Sequence, residues 1–213
     1  GEVCTAGSRL IVEESIKDEF IEKVVAAGAK MQPGDPLDPQ SQMGAIVDVE
    51  TTGMSPRNGD EVVEIGIILF RYNAIHHDGV EVVETYQSLR EPTDPIPMGV
   101  IRVHGITDEM VFGKSLDYNR MRSIFDRADF VVAHNAGFDK SFLEILLPMS
   151  VDLPWKCSCY GIPWKRHGLE NRQLGTLRDY FGITHDEAHR ALADCEVVLE
   201  ALKRPRYLKE LLK

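Results

Sequence analysis

The sequence predicts an α/β fold, a mixed sheet flanked by helices, with a short strand–helix extension ahead of it. Three observations lead there. From Ala45 onward three strand-like apolar runs come first, and helix-length segments then alternate with a further short strand, an order that builds a mixed sheet covered by helices. Hydrophobic residues make up 43% and charged residues 27% of the 213-residue chain, a balance that supports a buried core of ordinary size. No apolar run approaches the ~20 residues that a bilayer demands, so no membrane partner is expected.

The elements follow in order. In residues 1–44 a strand-like Arg9-Leu10-Ile11-Val12 leads to Ser15, which can cap a helix over residues 16–31 with Ile16, Phe20, Val24 and Ala27 on one face. Pro33-Gly34-Asp35-Pro36 ends that pattern, and residues 37–42 read as a polar linker. The main domain spans residues 45–205. It opens with strands over 45–47, 61–70 and 80–89, spaced as a meander. A Pro-rich loop over residues 91–98 leads into Val103-His104-Gly105-Ile106-Thr107, and residues 117–127 form a helix. Phe130-Val131-Val132-Ala133 is a short buried strand feeding a helix over residues 137–147. Residues 176–181 are helical, and a last long helix runs to about residue 203. Residues 206–213 read as a C-terminal tail.

Composition excludes several function classes. A formal net charge of −10 argues against a sequence-independent nucleic-acid coat, which would neutralise phosphates with Lys and Arg. That charge is spread as −4, −8 and +2 over residues 1–44, 45–149 and 150–213. An acidic middle with a mildly basic end suits a carboxylate metal site, where bound cations invert the local field toward a phosphate. Cys4, Cys157, Cys159 and Cys195 are too few and too scattered for a disulfide framework or a zinc knuckle, and read as reduced packing thiols. The N-terminus shows no basic stretch followed by an apolar one, so a cytoplasmic location is expected.

The chemistry concentrates where strands end. Asp48 and Glu50 sit at the carboxyl end of the first strand, and period-two alternation puts both on one face. Converging carboxylates are costly unless a cation lies between them, and hard divalent ions such as Mg²⁺ take oxygen ligands of this kind; a solvated acidic pair is the alternative. Asp139 arrives just past the second buried strand, and Asp194 from the last long helix. Four acids from three distant segments are what a two-metal phosphoryl site needs. His189 precedes Asp194 by five positions, which leaves the two about 140° apart on a continuous helix. His189 is therefore expected in the loop or first turn, and Asp194 on a helix whose stripe is Leu192, Cys195, Leu199 and Leu202. Thr184-His185-Asp186-Glu187 is a competing helix start, a capping box. An imidazole with near-neutral pKa suits proton abstraction from water. His134 and Asn135 either orient substrate or satisfy loop backbone, and Lys165, Arg166, His167, Arg172 and Arg178 read as a solvated basic face rather than a phosphate-facing strip.

In this order the three motifs resemble the DEDDh exonucleases of the ribonuclease H-like fold, over residues 45–202. The resemblance implies a mixed five-stranded sheet and a 3′–5′ exonuclease that releases 5′ mononucleotides. By that match Asp48, Glu50, Asp139 and Asp194 hold two divalent ions, Mg²⁺ or Mn²⁺, and His189 is the general base. It also implies that the backbone around Thr51 and Thr52, together with His104, holds the 3′-terminal nucleotide. Met54 or Phe138 could wedge terminal bases, or be ordinary core. The expected partners are nucleic-acid 3′ ends, DNA favoured over RNA, and a polymerase or replication partner. An acidic residue that the family's polymerase subunit places before its His-Gly-Ile segment is replaced here by Pro97-Met98-Gly99-Val100. A non-catalytic binding module on the same fold is the rival from another class.

Residues 1–44 resemble something else. Gly1-Glu2-Val3-Cys4-Thr5-Ala6-Gly7-Ser8-Arg9 and Gly34-Asp35-Pro36-Leu37-Asp38-Pro39 are similar to the segment around the catalytic cysteine of aldehyde dehydrogenases, which places Cys4 at the nucleophile position. No dinucleotide-binding fold accompanies it, so a fused fragment is expected rather than a second activity.

Overall fold

The computed structural model of the chain describes residues 41–184 and 190–213 together with Lys17, Phe20, Ile21 and Lys23. Residues 1–38 and 39–213 form separate compact units. In the first, the four described residues are helical, inside the helix expected over 16–31. Cys4, the Arg9–Val12 strand and the rest of that unit lie outside the described residues, as do the Glu187 capping residue and His189.

The second unit is built on five strands: β1 (Ser41–Thr51), β2 (Val62–Asn73), β3 (Asp78–Leu89), β4 (Phe130–Ala133) and β5 (Trp155–Cys157). Their order in the sheet is β3-β2-β1-β4-β5. The β1–β2–β3 meander is antiparallel, whereas β4 pairs parallel to β1, and β5 parallel to β4. This is the mixed five-stranded sheet expected of a ribonuclease H-like fold.

Eight helices accompany it among the described residues: α1 (Met98–His104), α2 (Asp108–Val111), α3 (Tyr118–Phe125), α4 (Ala136–Leu146), α5 (Ser158–Gly161), α6 (Leu174–Phe181), α7 (Ala191–Leu202) and α8 (Pro205–Leu211). None is long and apolar enough to cross a membrane. Strand alternation divides the core in two. Ala45, Val47 and Val49 of β1, with Ile65, Ile67 and Leu69 of β2, pack against Met121, Ile124 and Phe125 of α3 and Phe142 and Leu143 of α4. The opposite face, with Ile46, Ile68, Phe70 and Val132, packs against α7 and α8. Because β1, β2 and β4 are covered on both sides, they read as continuous apolar runs rather than alternating ones.

Several expectations shift. Residues 41–44, assigned to the extension, belong to the sheet: Ser41 to Gly44 pair with Asn73 to Phe70, so the central strand begins four residues before Ala45. Residues 98–104, to which no element was assigned beyond the end of the Pro-rich loop at Met98, are helical and end at Gly105, whose φ of 74° terminates the helix in the left-handed region that glycine tolerates. The C-terminal stretch read as a tail is α8. Proline at its first position suits a helix start, and Tyr207, Leu208 and Leu211 recur at helical spacing to bury against Trp164 and the α7 face. The helix bearing Asp194 starts at Ala191. Cys195, Leu199 and Leu202 of its expected stripe are buried, but so are Val197 and Val198, and Leu192 is only partly covered.

Candidate active site

Asp48 and Glu50 lie near the end of β1 on the α7 face, the face that also carries Ile46. What brings a third carboxylate to them is a glycine. At Gly66 of β2 an added Cβ would come within 2.5 Å of the backbone of Ala191 and Leu192, so the first turn of α7 rests directly on the strand. Cys195 seals this contact, its Sγ donating to the Gly66 carbonyl at 3.4 Å. Asp194 is thereby delivered to the acidic pair: carboxylate oxygens of Asp48, Glu50 and Asp194 all lie within 4.8 Å of one another.

Asp139 comes from the first turn of α4. Asn135, with φ of 81°, turns the chain from β4 into that helix, a conformation asparagine adopts more readily than most residues. Asp139 is buried, and its Oδ1 accepts a hydrogen bond of 3.2 Å from the backbone N–H of Val49, which fixes it to the strand between the two β1 acids.

The cluster is electrostatically unfavourable as it stands. Burial, and after it the neighbouring Asp139, Asp194 and Glu50, hold the Asp48 carboxyl well above the usual range. Burial followed by Asp194 and Glu64 pushes Glu50 up to about 8, with Arg190 pulling the other way. Burial raises Asp139 to about 7 against the opposing hydrogen bond from Val49. Buried, mutually repelling carboxylates with closely spaced oxygens are what a hard divalent cation would neutralise, so the residues present fit such an ion. The nearby thiol of Cys195 does not compete, because burial raises its pKa far above the ordinary thiol value.

Two arginines and one further acid were missed by sequence reasoning. Glu64 of β2 is fully buried and stands opposite Glu50 in the register. Its carboxylate accepts from Arg190 Nε (3.0 Å) and Nη2 (2.6 Å), from the backbone N–H of Ala191 (3.0 Å) and from Gln87 Nε2 (3.0 Å). This pair anchors the start of α7 to the sheet. A lone acid inside Val62-Val63-Glu64-Ile65 was the available signal, since a charge in a buried strand must find a partner. Arg178 of α6, read as part of a solvated face, donates instead from Nη2 to Asp194 Oδ1 at 2.7 Å and is largely buried.

The remaining expected residues divide. Thr51 is buried and its hydroxyl donates to the Gly53 carbonyl at 2.6 Å, while Thr52 Oγ1 accepts from Glu61 N at 2.9 Å, so both brace the turn after β1. His104, the last residue of α1, is buried and its Nδ1 accepts from Ile106 N at 3.0 Å. Met54 is 80% exposed and is not core, whereas Phe138 packs on Phe142 with ring centroids 5.1 Å apart. The His134 ring bonds Ser158 Oγ through Nδ1 (2.9 Å) and the Arg172 carbonyl through Nε2 (2.8 Å), so it braces loop backbone. His167 pairs with Glu210.

A family model described as Exonuclease matches residues 45–202, and one described as Aldehyde dehydrogenase family matches residues 1–54, so the two overlap across β1. The 3′-5′ exonuclease DinG of Bacillus subtilis is 29% identical over 178 residues, 78% of this chain but only 18% of its own length. The chain thus spans less than a fifth of that relative. The DNA polymerase III subunit epsilon of Treponema pallidum is 30% identical over 165 residues, 72% of this chain and 71% of the subunit. Among solved structures, E. coli Exonuclease I in complex with a dA16 oligonucleotide superposes with a TM-score of 0.59 at 19% identity, covering 79% of this chain and 42% of that one; at that identity the likeness is one of fold.

Proposed function

The chain belongs to the exonuclease family, and from that membership we propose that it is a 3′–5′ exonuclease, dependent on divalent metal, that removes mononucleotides from the 3′ ends of DNA. The observation that carries the reading is the convergence of Asp48, Glu50 and Asp194 within 4.8 Å, with Asp139 tied to the intervening Val49.

Asp48, Glu50, Asp139 and Asp194 would hold the ions, two of them and Mg²⁺ or Mn²⁺ by their all-oxygen donor set. Bound there, the ions supply positive charge and Lewis acidity at the terminal phosphodiester. His189 takes a proton from the attacking water; the water oxygen bonds to phosphorus, the bond from phosphorus to the neighbouring 3′ oxygen breaks, and that oxygen gains a proton as a 5′ mononucleotide leaves. Glu64 and Arg190 act on neither atom, but position the start of the helix that carries Asp194. The Thr51–Thr52 turn and His104 are assigned to the 3′-terminal nucleotide, supported by the rigidity of that turn. DNA is favoured over RNA because the relatives named above include a DNA polymerase subunit. The same relatives support a replication partner and a cytoplasmic site of action. Residues 1–44 are assigned as a fused fragment, and the short match of that segment supports this.

The test is degradation of 5′-labelled single-stranded DNA and RNA oligonucleotides with Mg²⁺, with Mn²⁺ and with EDTA. A metal-dependent ladder that shortens from the 3′ end, faster on DNA, is expected. No degradation of either polymer would refute the reading and return the fold to a binding role.

A further inference from the structure

Beyond β5 the chain builds a second concavity that the chemistry above does not use. It is a cavity of about 650 Å³ between α5, the turn over residues 164–167 and the start of α6. Its floor is apolar, with Cys159, Ile162 and Trp164 buried. Its rim is cationic: Lys165, Arg166 and Arg172 line it, and among the described residues none of them forms an ion pair. That is notable in an acidic chain where Arg71, Arg90, Arg120, Arg127 and Arg190 all pair with carboxylates. No Asp or Glu lines the cavity, so the charge of its lining suits an anion rather than a cation.

The rim also carries an aromatic platform. Tyr160 is 63% exposed, yet its ring is held in place by the Arg172 guanidinium, 4.1 Å from the ring centroid. Asn171 uses its side-chain oxygen to accept from Gln173 N (2.7 Å) and Thr176 Oγ1 (2.8 Å), which orders the start of α6 and turns its amide donors away from those partners. Uncountered cations beside an exposed ring and amide donors match the needs of a single nucleic-acid strand, phosphates on the cations and a base on the ring. The walls are tied to the acidic site on both sides. His134, directly after β4, bonds the carbonyl of Arg172, and α6 carries the Arg178 that holds Asp194.

We propose that this cavity is a secondary subsite for single-stranded nucleic acid, seating a nucleotide on the 5′ side of the end being cut. The inference rests on the nuclease reading, but its test does not need turnover. Binding of fluorescein-labelled oligothymidylates of about 3 and about 12 nucleotides is followed by anisotropy in EDTA, across a salt series, for the full chain and for two variants. One is Tyr160→Ala and the other combines Lys165→Ala with Arg166→Ala; all three positions are exposed, so both variants should fold. The full chain is expected to bind the longer strand more tightly than the shorter. Tyr160→Ala should weaken the longer strand on the order of tenfold, the effect of one lost base–aromatic stack. The double variant should flatten the slope of log affinity against log salt by about 1.4, for two phosphates on a single strand. Unchanged affinity and slope in both variants would overturn the subsite even if the nuclease ladder appears. So would equal binding of free thymidine monophosphate at the cavity, which would make it a product site. Loss of the ladder with the length effect intact would instead remove the nuclease reading and leave the cavity as a strand-binding site.

Discussion

Replacing Glu64 with glutamine should be among the most destabilising single changes that keep the volume of the core. Glutamine fills the same space but carries no charge and only one acceptor oxygen, where the carboxylate now receives Arg190, the Ala191 N–H and Gln87. Its amide group would present N–H to donors. Glu64 is fully buried and the Arg190 side chain only 25% exposed, so solvent cannot take over the lost contacts. Breaking one partner of a buried pair costs about 3–5 kcal/mol. For a unit of this size about 1 kcal/mol moves the melting temperature by ~2–4 °C, so a fall of roughly 6–20 °C is expected in the metal-free protein. Urea denaturation of Glu64→Gln beside Glu81→Gln makes the measurement internally controlled. The Arg71–Glu81 pair is 36% and 65% exposed, and its loss should cost less than ~1 kcal/mol. If the two variants lose the same small amount, the Glu64–Arg190 pair does not anchor α7 and the positioning argument fails.

Three further outcomes follow from the site. Asp194→Asn should abolish turnover with little loss of stability, because removing one of the mutually repelling carboxylates relieves Asp48 and Glu50 and so offsets the weakened pairing with Arg178; activity near that of the parent chain would remove Asp194 from the site. His189→Ala should slow cleavage by several orders of magnitude in single-turnover assays while Mn²⁺ affinity, read by calorimetry, changes little, and a parallel loss of metal binding would contradict its role as proton acceptor. In EDTA, thermal stability should decline as pH rises from about 5 to about 8. Glu50 and Asp139 titrate near 8 and 7 in the fold but near 4 when unfolded, so in that window the folded state holds protons that the unfolded chain has released, and their contribution is lost as pH climbs through the folded values. Mg²⁺ or Mn²⁺ should then stabilise more at pH 8 than at pH 6, since protons compete for the same oxygens; a flat profile with and without the ion would refute this.

The acids and the sheet were legible because both are local signals. Apolar runs over 45–47 and 130–133 end in carboxylates, and strand alternation alone puts Asp48 and Glu50 on one face. Residues 98–104 were not legible as a helix, because Pro97 and Gly99 mask a turn whose only clear marks are its end at Gly105 and the burial of His104. Residues 205–211 carried a readable apolar spacing, but it is too short to outweigh the assumption that a chain end frays. Arg178 looked like one of several surface cations, since nothing in its neighbourhood announces that Asp194 will come to it. Such pairings are tertiary facts. The exception is Glu64, whose charge inside an apolar strand already demanded a partner that the sequence left unnamed.

The seat of α7 on Gly66 bears on when the site can exist. Asp48 and Glu50 belong to a hairpin that pairs early in the sequence, whereas Asp194 rides on a helix near the far end of the same unit. Contacts between such distant segments form late, after the closure entropy of the intervening chain has been overcome. During synthesis the meander can therefore assemble with only half of the carboxylates in place, and hydrolytic competence is acquired in the last step rather than growing by degrees. On the proposed function, a site built this way is silent until it is whole. Any lesion that loosens the helix from the glycine, even one far from the acids, returns it to that silent state.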